Sequence, residues 1–263
     1  MDHRRLSQLT AIMASTAMIA TALLCGACTA PQTSPQPQQQ EQQTEAQPQA
    51  QPQAQVSTTS DELTWNEAAA PNYVATTGPA SLENATLSLA SGTYETHADE
   101  LGRPSMVSAN VTPEMATAGA KRKRDELPDP LGWPKNAEVD IQMADGTYHG
   151  WLFNRSHLLA KSLGGPDTAD NLVTGTRCQN VGNNDGSGGM GMPETAARNW
   201  LNRNPEGSLF YEVEPHYVGS EPIPRTVSVD VKTSDGSIDN HYVTYNAAKG
   251  FTIDYATGAW QAA

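Results

Sequence analysis

The sequence predicts an α+β fold in which an antiparallel sheet is flanked by helices. Residues 139–153 and 227–245 alternate apolar and polar side chains, and an Asp-Gly turn interrupts each stretch, which is the pattern of a β-hairpin. Pro193 begins an amphipathic stretch that reaches Leu201, which predicts a helix with proline in its first turn. No strand–helix–strand repeat accompanies these elements, so we expect an antiparallel sheet and not a doubly wound one.

The individual elements follow from the same patterns. In chain order, the predicted strands are Ala85–Leu89, one beginning at Tyr94–Leu101, Val139–Met143, Thr147–Phe153, Val227–Val231, Tyr242–Tyr245 and Gly250–Tyr255. Turns at 144–146 and 234–237 join the two hairpins.

The N-terminus has the pattern of an export signal. Arg4 and Arg5 precede an apolar run, Ala11–Leu24, that is short for a membrane-spanning helix. Small residues precede Cys28, which resembles a bacterial lipoprotein signal with Cys28 as the lipidated first mature residue. We therefore assign residues 1–28 as a signal peptide with a lipobox; an ordinary signal peptide cut nearby is the alternative. Either assignment predicts an exported protein, extracellular or attached to the cell membrane by the lipid on Cys28.

A linker is predicted after the signal. Residues 29–70 are rich in Gln and Pro and contain little that a core could bury, which indicates a disordered tether. The folded part is expected to begin between Asp61 and Ala80, and we assign residues 71–263 as one domain.

Composition limits the function classes. A net charge of −13 argues against a protein that coats nucleic acid through bulk charge, so any such contact needs a local basic patch. Three cysteines cannot build a disulfide framework, and Cys178 is expected to be a small buried side chain.

Chemistry concentrates between Gly150 and Asn184. His157 follows the first hairpin, where a histidine is able to act as a general base near neutral pH. The segment is also rich in Asn, whose amide oxygen suits Mg²⁺ or Ca²⁺ better than zinc. One base, few carboxylates and several amides indicate a metal that keeps most of its waters and pairs with substrate phosphates.

Two motifs in this segment resemble the DNA/RNA non-specific endonuclease family, in particular its secreted streptococcal-type DNases and DNA-entry nucleases. They are Asn154-Arg155-Ser156-His157 and the Asn-rich run 171–180. The likeness extends from about Thr93 to Gly258. It implies a ββα-metal (His-Me finger) site on the α+β scaffold and hydrolysis of DNA, with RNA left open, to products with 5′-phosphate ends.

The resemblance also implies roles for single residues. His157 becomes the general base, and Asn180 becomes the protein ligand of Mg²⁺, for which Mn²⁺ or Ca²⁺ are possible substitutes. Asn171 is expected to help fix the imidazole or the water shell of the metal. Glu194 matches an acidic residue that holds water bound to the metal. An arginine of the basic tetrad 121–124 is expected to meet the scissile phosphate, with Arg124 favoured over Arg122.

The sequence departs from the family motif at Asn154 and Ser156, where Asp and Gly are usual. Arg155 is expected to pair within the fold. An enzyme is the favoured interpretation, because His157 and Asn180 are both intact, and we expect it to be a monomer. The alternative is a non-catalytic DNA-binding or DNA-uptake lipoprotein that has kept the fold.

Overall fold

A computed structural model describes residues 63–123 and 126–263 of the chain. These residues belong to the second of two units, Gln55–Ala263, whereas the first, Met1–Ala54, lies outside the described ranges. The predicted signal peptide with Cys28, most of the predicted linker, and Arg124 also lie outside them. Within the described part, no helix is both long enough and apolar enough to cross a membrane.

Twelve strands are present in the described residues. They are β1 (Val74–Gly78), β2 (Thr93–Ala98), β3 (Pro104–Val111), β4 (Glu138–Met143), β5 (Gly146–Trp151), β6 (Phe153–His157), β7 (Leu172–Thr176), β8 (Leu209–His216), β9 (Thr226–Thr233), β10 (Asp239–Tyr245), β11 (Phe251–Ile253) and β12 (Trp260–Ala262). The helices of the same part are α1 (Asn84–Leu87), α2 (Pro113–Lys121), α3 (Arg177–Val181) and α4 (Gly191–Arg203), with 3₁₀ turns at Lys161–Leu163 and Ala169–Asn171.

Six strands form the central sheet in the order β1-β10-β9-β8-β3-β2, and every neighbouring pair is antiparallel. The predicted α+β class with an antiparallel sheet is therefore confirmed. One face of the sheet contributes alternating apolar residues such as Val229 and Tyr211 to the main core, where they meet Trp200 and Leu201 of α4. The helix predicted after Pro193 thus buries its apolar face against the sheet, although it begins two residues earlier, at Gly191.

The first predicted hairpin is divided into two in the structure. Strand β4 pairs with β5, but β6 begins at Phe153 and pairs with β7 instead. The chain bends at Leu152, which is fully buried, and this bend turns the following residues into a second ribbon. His157 is consequently the last residue of β6 and not a residue that follows the hairpin.

The ribbon β6–β7 leads directly into α3 and forms a ββα unit. Thr176 caps α3, since its hydroxyl accepts a hydrogen bond from the amide of Gln179 at 3.0 Å. Gly175 allows the close packing of ribbon and helix, because a Cβ there would overlap the Gln179 side chain and lie 2.8 Å from Cβ of Ser156. This unit brings the end of β6 next to α3.

One predicted strand is corrected by the structure. The segment predicted as strand Ala85–Leu89 contains the short helix α1, because the Thr86 hydroxyl and the Glu83 amide bond the Glu212 carboxylate and hold the segment across the sheet. Before the predicted start of the domain at residue 71, Leu63 and Ala70 are buried, and the Trp65 ring stacks on Tyr73 at 4.5 Å between centroids.

Cys178 is fully buried, as expected from the sequence, and burial raises its thiol pKa to about 12. It lies with Ile141 and Phe153 in a second, smaller core beneath the ribbons.

Candidate active site

A cavity of about 900 Å³ opens beside the ββα unit. His157 from β6, Asn180 from α3 and Glu194 from α4 all line it, although they are up to 37 residues apart in the chain (194 − 157). The structure therefore brings together three of the predicted site residues. Asp167, which we did not predict, lines the same cavity.

His157 is held by Asp167. Its Nε2 lies 2.8 Å from Oδ1 of Asp167, and the two side chains are only 16% and 9% exposed. A carboxylate acceptor fixes the proton of a neutral imidazole on Nε2, so the lone pair resides on Nδ1. The contact thus sets both the orientation and the tautomer that a general base requires.

Asp167 is itself held by Arg122. Arg122 Nη2 lies 3.2 Å from Oδ1 of Asp167 and donates to the carbonyl oxygen of Gly165 at 2.5 Å. Burial acts to raise the pKa of Asp167, but the hydrogen bonds from His157 and Arg122 outweigh it and lower the pKa below its usual value. The carboxylate is therefore ionised at neutral pH. Its sequence context, Gly-Gly-Pro-Asp, is typical of a turn and does not by itself indicate a site.

The basic tetrad begins at the end of α2. Lys121 is the last residue of that helix, and Arg122 turns away into extended backbone toward Asp167. The Nζ of Lys161 donates to the carbonyl oxygens of Gly119 and Arg122, so this lysine caps the end of the helix. Arg122 is thus engaged with a carboxylate, and Arg124 lies outside the described residues.

Asn180 presents its amide oxygen to the cavity wall formed by β6. Its Oδ1 accepts a hydrogen bond of 3.1 Å from the Ser156 hydroxyl, and Ser156 is fully buried. The serine that replaces the usual glycine of the motif therefore fixes the rotamer of the predicted metal ligand. Asn154, the other departure from the motif, also lines the cavity.

Glu194 lies in the first turn of α4. Burial raises the pKa of its carboxyl to about 8, and Arg198, one turn further along the helix, offsets this only in part. A divalent cation nearby would favour the ionised carboxylate. Within the described residues, no group of three or more His, Cys, Asp or Glu side chains is placed to hold a metal. The donors in this cavity, an amide oxygen and a carboxylate, fit a hard, largely hydrated cation.

Asn171 is not among the residues that line the cavity. Its side chain is fully buried: Oδ1 accepts from the amide of Leu159, and Nδ2 donates to the carbonyl oxygens of Leu159 and Pro166, each at 2.9 Å. These bonds close the loop that carries Asp167. Asn171 therefore acts through the backbone and does not touch the imidazole through any of these bonds.

Arg155 pairs within the fold, as expected. Its Nε donates to Asp129 at 2.9 Å, and its guanidinium lies 4.3 Å from the centroid of the Trp133 ring. Both Arg155 and Trp133 line the cavity.

Comparisons with known proteins identify the family of this chain. The family model for DNA/RNA non-specific endonucleases matches residues 83–235. A deoxyribonuclease of Streptococcus dysgalactiae subsp. equisimilis is 40% identical over 111 residues, which span 42% of this chain and about a third (33%) of that longer relative.

Solved structures show the same fold. A structure of the Sda1 nuclease with bound zinc ion is 30% identical, with a TM-score of 0.70, over 76% of this chain and 100% of that one. NucA of Streptococcus agalactiae with magnesium ion bound is 21% identical, with a TM-score of 0.57, over 70% of this chain and 85% of that one, and is a likeness of fold alone. With its ββα unit and the cavity beside it, the chain belongs to the DNA/RNA non-specific endonuclease family, whose members are metal-dependent endonucleases.

Proposed function

We propose that this protein hydrolyses phosphodiester bonds of DNA and that His157 is the general base. The observation that supports this most directly is the His157–Asp167 pair, which shares one cavity with Asn180 and Glu194. A base with a defined tautomer beside oxygen donors is the arrangement that hydrolysis of a phosphodiester needs.

The chain's own residues account for the proton movements. Nδ1 of His157 takes a proton from the attacking water as the water oxygen bonds to phosphorus. The bond to the 3′ oxygen breaks, and this oxygen takes a proton from solvent water. Asp167 stabilises the imidazolium that forms. Arg124 meets the non-bridging oxygens of the scissile phosphate, since Arg122 is engaged with Asp167. The products carry a 5′-phosphate and a 3′-hydroxyl group.

Asn180 is the residue that would hold Mg²⁺, and Glu194 would hold water bound to the cation. When bound, the cation neutralises developing negative charge on the phosphate and the leaving oxygen, and Mn²⁺ or Ca²⁺ would occupy the same oxygen donors. Asn171 supports this site by closing the loop that carries Asp167.

The proposed setting is outside the cell. Residues 1–28 direct export, Cys28 carries the lipid, and the following Gln- and Pro-rich tether holds a monomeric enzyme away from the membrane. The family membership supports an exported enzyme that acts on nucleic acid.

A plasmid degradation assay with Mg²⁺, and with chelator, tests the activity. Cleavage that needs the metal is expected; DNA binding without cleavage would instead support the alternative, a DNA-capture lipoprotein that has kept the fold.

His157→Gly tests the base. It leaves a hole next to Asp167, so imidazole added to the solution should restore part of the rate, increasingly as the neutral form becomes dominant. His149→Gly is the matched control, because His149 is an exposed histidine that pairs with Asp140 at 2.6 Å on the β4–β5 hairpin. Loss of Mg²⁺ binding in folded His157→Gly, measured by calorimetry, would identify His157 as a ligand and not a base.

A further inference from the structure

The described charges of the cavity supply little attraction for a nucleic-acid strand. Arg155 is paired with Asp129, Lys161 is bonded to the end of α2, and Asp167 adds a negative charge. The whole chain carries −13. Because phosphate contacts by Lys and Arg normally supply most of the affinity for nucleic acid, contacts to the bases would add to the phosphate contact proposed for Arg124.

An aromatic wall faces the same cavity. Trp151, Trp133 and Phe153 line it together with His157. Trp151 is 51% exposed, one of the largest apolar side chains at the surface of the described residues. The Arg155 guanidinium lies over the Trp133 ring, 4.3 Å from its centroid, so a cation and an aromatic ring are stacked at the cavity.

The wall lies in the same cavity as the proposed general base. Trp151 precedes His157 by six residues and the chain bends between them at Leu152, so their Cα atoms lie closer than the span of about 20 Å that six extended residues would reach. A strand with a phosphate at His157 therefore has neighbouring bases within reach of Trp151.

We propose that Trp151, with the Trp133–Arg155 stack, forms a subsite that stacks unpaired nucleobases of the substrate strand; this rests on the proposed nuclease function. A paired base in a duplex has both faces covered by its neighbours, whereas an unpaired or extruded base offers a free face. Aromatic rings bind such faces with little sequence preference, which suits a nuclease without sequence specificity. The subsite thus favours single-stranded or locally opened nucleic acid over intact duplex.

The test separates base recognition from catalysis. Binding is measured by fluorescence anisotropy on the full chain carrying His157→Gly, which leaves the labelled oligonucleotide uncut. The probes are a 12-nucleotide thymidine strand and an abasic strand with the same phosphates. Trp151→Ala is expected to weaken thymidine binding by about tenfold and to leave abasic binding unchanged. Trp151→Phe should retain most of the affinity, and Trp151→Leu, which is apolar but not aromatic, should behave like Trp151→Ala.

Tyr94→Ala is the matched control, since Tyr94 is an exposed aromatic residue (41%) on strand β2 that does not line the cavity. Circular dichroism and Tm establish that each variant is folded. The subsite would be overturned if Trp151→Ala lost equal affinity for both probes or lost none for either probe. Full affinity of Trp151→Leu for the thymidine strand would also overturn it.

The same substitution in the chain with His157 intact gives a second readout. The ratio of kcat/KM for single-stranded to duplex DNA should fall in Trp151→Ala. If the unmodified protein cuts no nucleic acid, the proposed function fails, while the binding arms still decide the subsite. If it cuts and Trp151→Ala changes neither binding nor the ratio, the subsite fails and the nuclease function stands.

Discussion

Replacing Asp167 by Asn tests the core of the proposed site with almost no change in shape. The amide keeps the size of the carboxylate, but it removes the negative charge that Nε2 of His157 and Nη2 of Arg122 both approach, at 2.8 and 3.2 Å. The fold around the side chain is closed by backbone bonds to Asn171, so the loop itself should persist. The substitution therefore isolates the electrostatic and tautomeric role of Asp167.

The expected size of the effect follows from the charge-assisted hydrogen bond that the substitution removes. A hydrogen bond to a charged group contributes about 1.5–3 kcal/mol, and the 9% exposure of Asp167 leaves little solvent to replace it. If that energy stabilises the imidazolium in the transition state, kcat falls by roughly 10- to 150-fold. KM should change little, because Asp167 acts on the base and not on the substrate.

Asp167→Asn should also change how the stability of the fold depends on pH. The pKa of Asp167 is lowered in the folded state, so its contribution is present above its ordinary value of 3.8 and is lost as the pH falls through the folded value. We expect Asp167→Asn to unfold at lower temperature than the unmodified protein at pH 7, and this difference to shrink below about pH 4. Thermal unfolding across pH measures it.

Single-turnover cleavage of a fluorogenic oligonucleotide measures the rate. Asp170→Asn is the matched control, because Asp170 is in the same loop but bonds the Thr96 hydroxyl at 2.6 Å. In addition, the ¹⁵N shifts of His157 should move away from the Nε2-protonated tautomer only in Asp167→Asn. Wild-type kcat in Asp167→Asn, or equal losses in both variants, would refute the role of Asp167.

Three further predictions concern the other site residues. Asn180→Ala should abolish cleavage at low Mg²⁺ while changing Tm little. Ser156→Ala removes the hydrogen bond to Asn180 and should raise the Mg²⁺ concentration needed for cleavage. Activity of Asn180→Ala that is unchanged across a Mg²⁺ titration would contradict the ligand assignment. Arg124→Ala should slow cleavage by roughly 10- to 150-fold, which is more than Arg122→Ala should. Arg122→Ala should instead lower Tm, because it removes the ion pair with Asp167. Small and equal effects on the rate would mean that the tetrad is only a solvated loop. In the presence of a chelator, Glu194→Gln should raise Tm by about 2 °C or more at pH 8 but not at pH 4.5. A buried carboxyl whose pKa is raised to about 8 destabilises the fold increasingly as the pH rises above its ordinary pKa of 4.5, and Gln removes this effect. Calorimetry that shows no gain in Tm at pH 8 would contradict the burial of Glu194.

Much of the site could be predicted from the sequence because its parts are close together in the chain. The ββα unit spans residues 153–181, and its two motifs carried the resemblance that implied the roles of His157 and Asn180, although β7 and α3 were not predicted from periodicity. The hairpins 139–153 and 227–245 were likewise visible as alternation about an Asp-Gly turn, although the bend at Leu152 was not. Local propensity and periodicity depend only on neighbouring residues, and this is why these elements were predictable.

Tertiary structure alone decided the relations between distant segments. Asp167 meets Arg122 across 45 residues, and neither the turn that contains Asp167 nor the basic tetrad indicates that pairing. Asn171 was assigned to the site because of its place in a motif, but only the fold shows that its side chain bonds buried backbone groups of Leu159 and Pro166 and so closes the loop that carries Asp167. The raised pKa of Glu194 likewise requires the packing of α4 beside the cavity. The sequence by itself indicated which residues are able to hold a proton or a cation. The contacts that hold those residues in place were decided only by the fold, because desolvation and ion pairing depend on which surfaces the fold brings together.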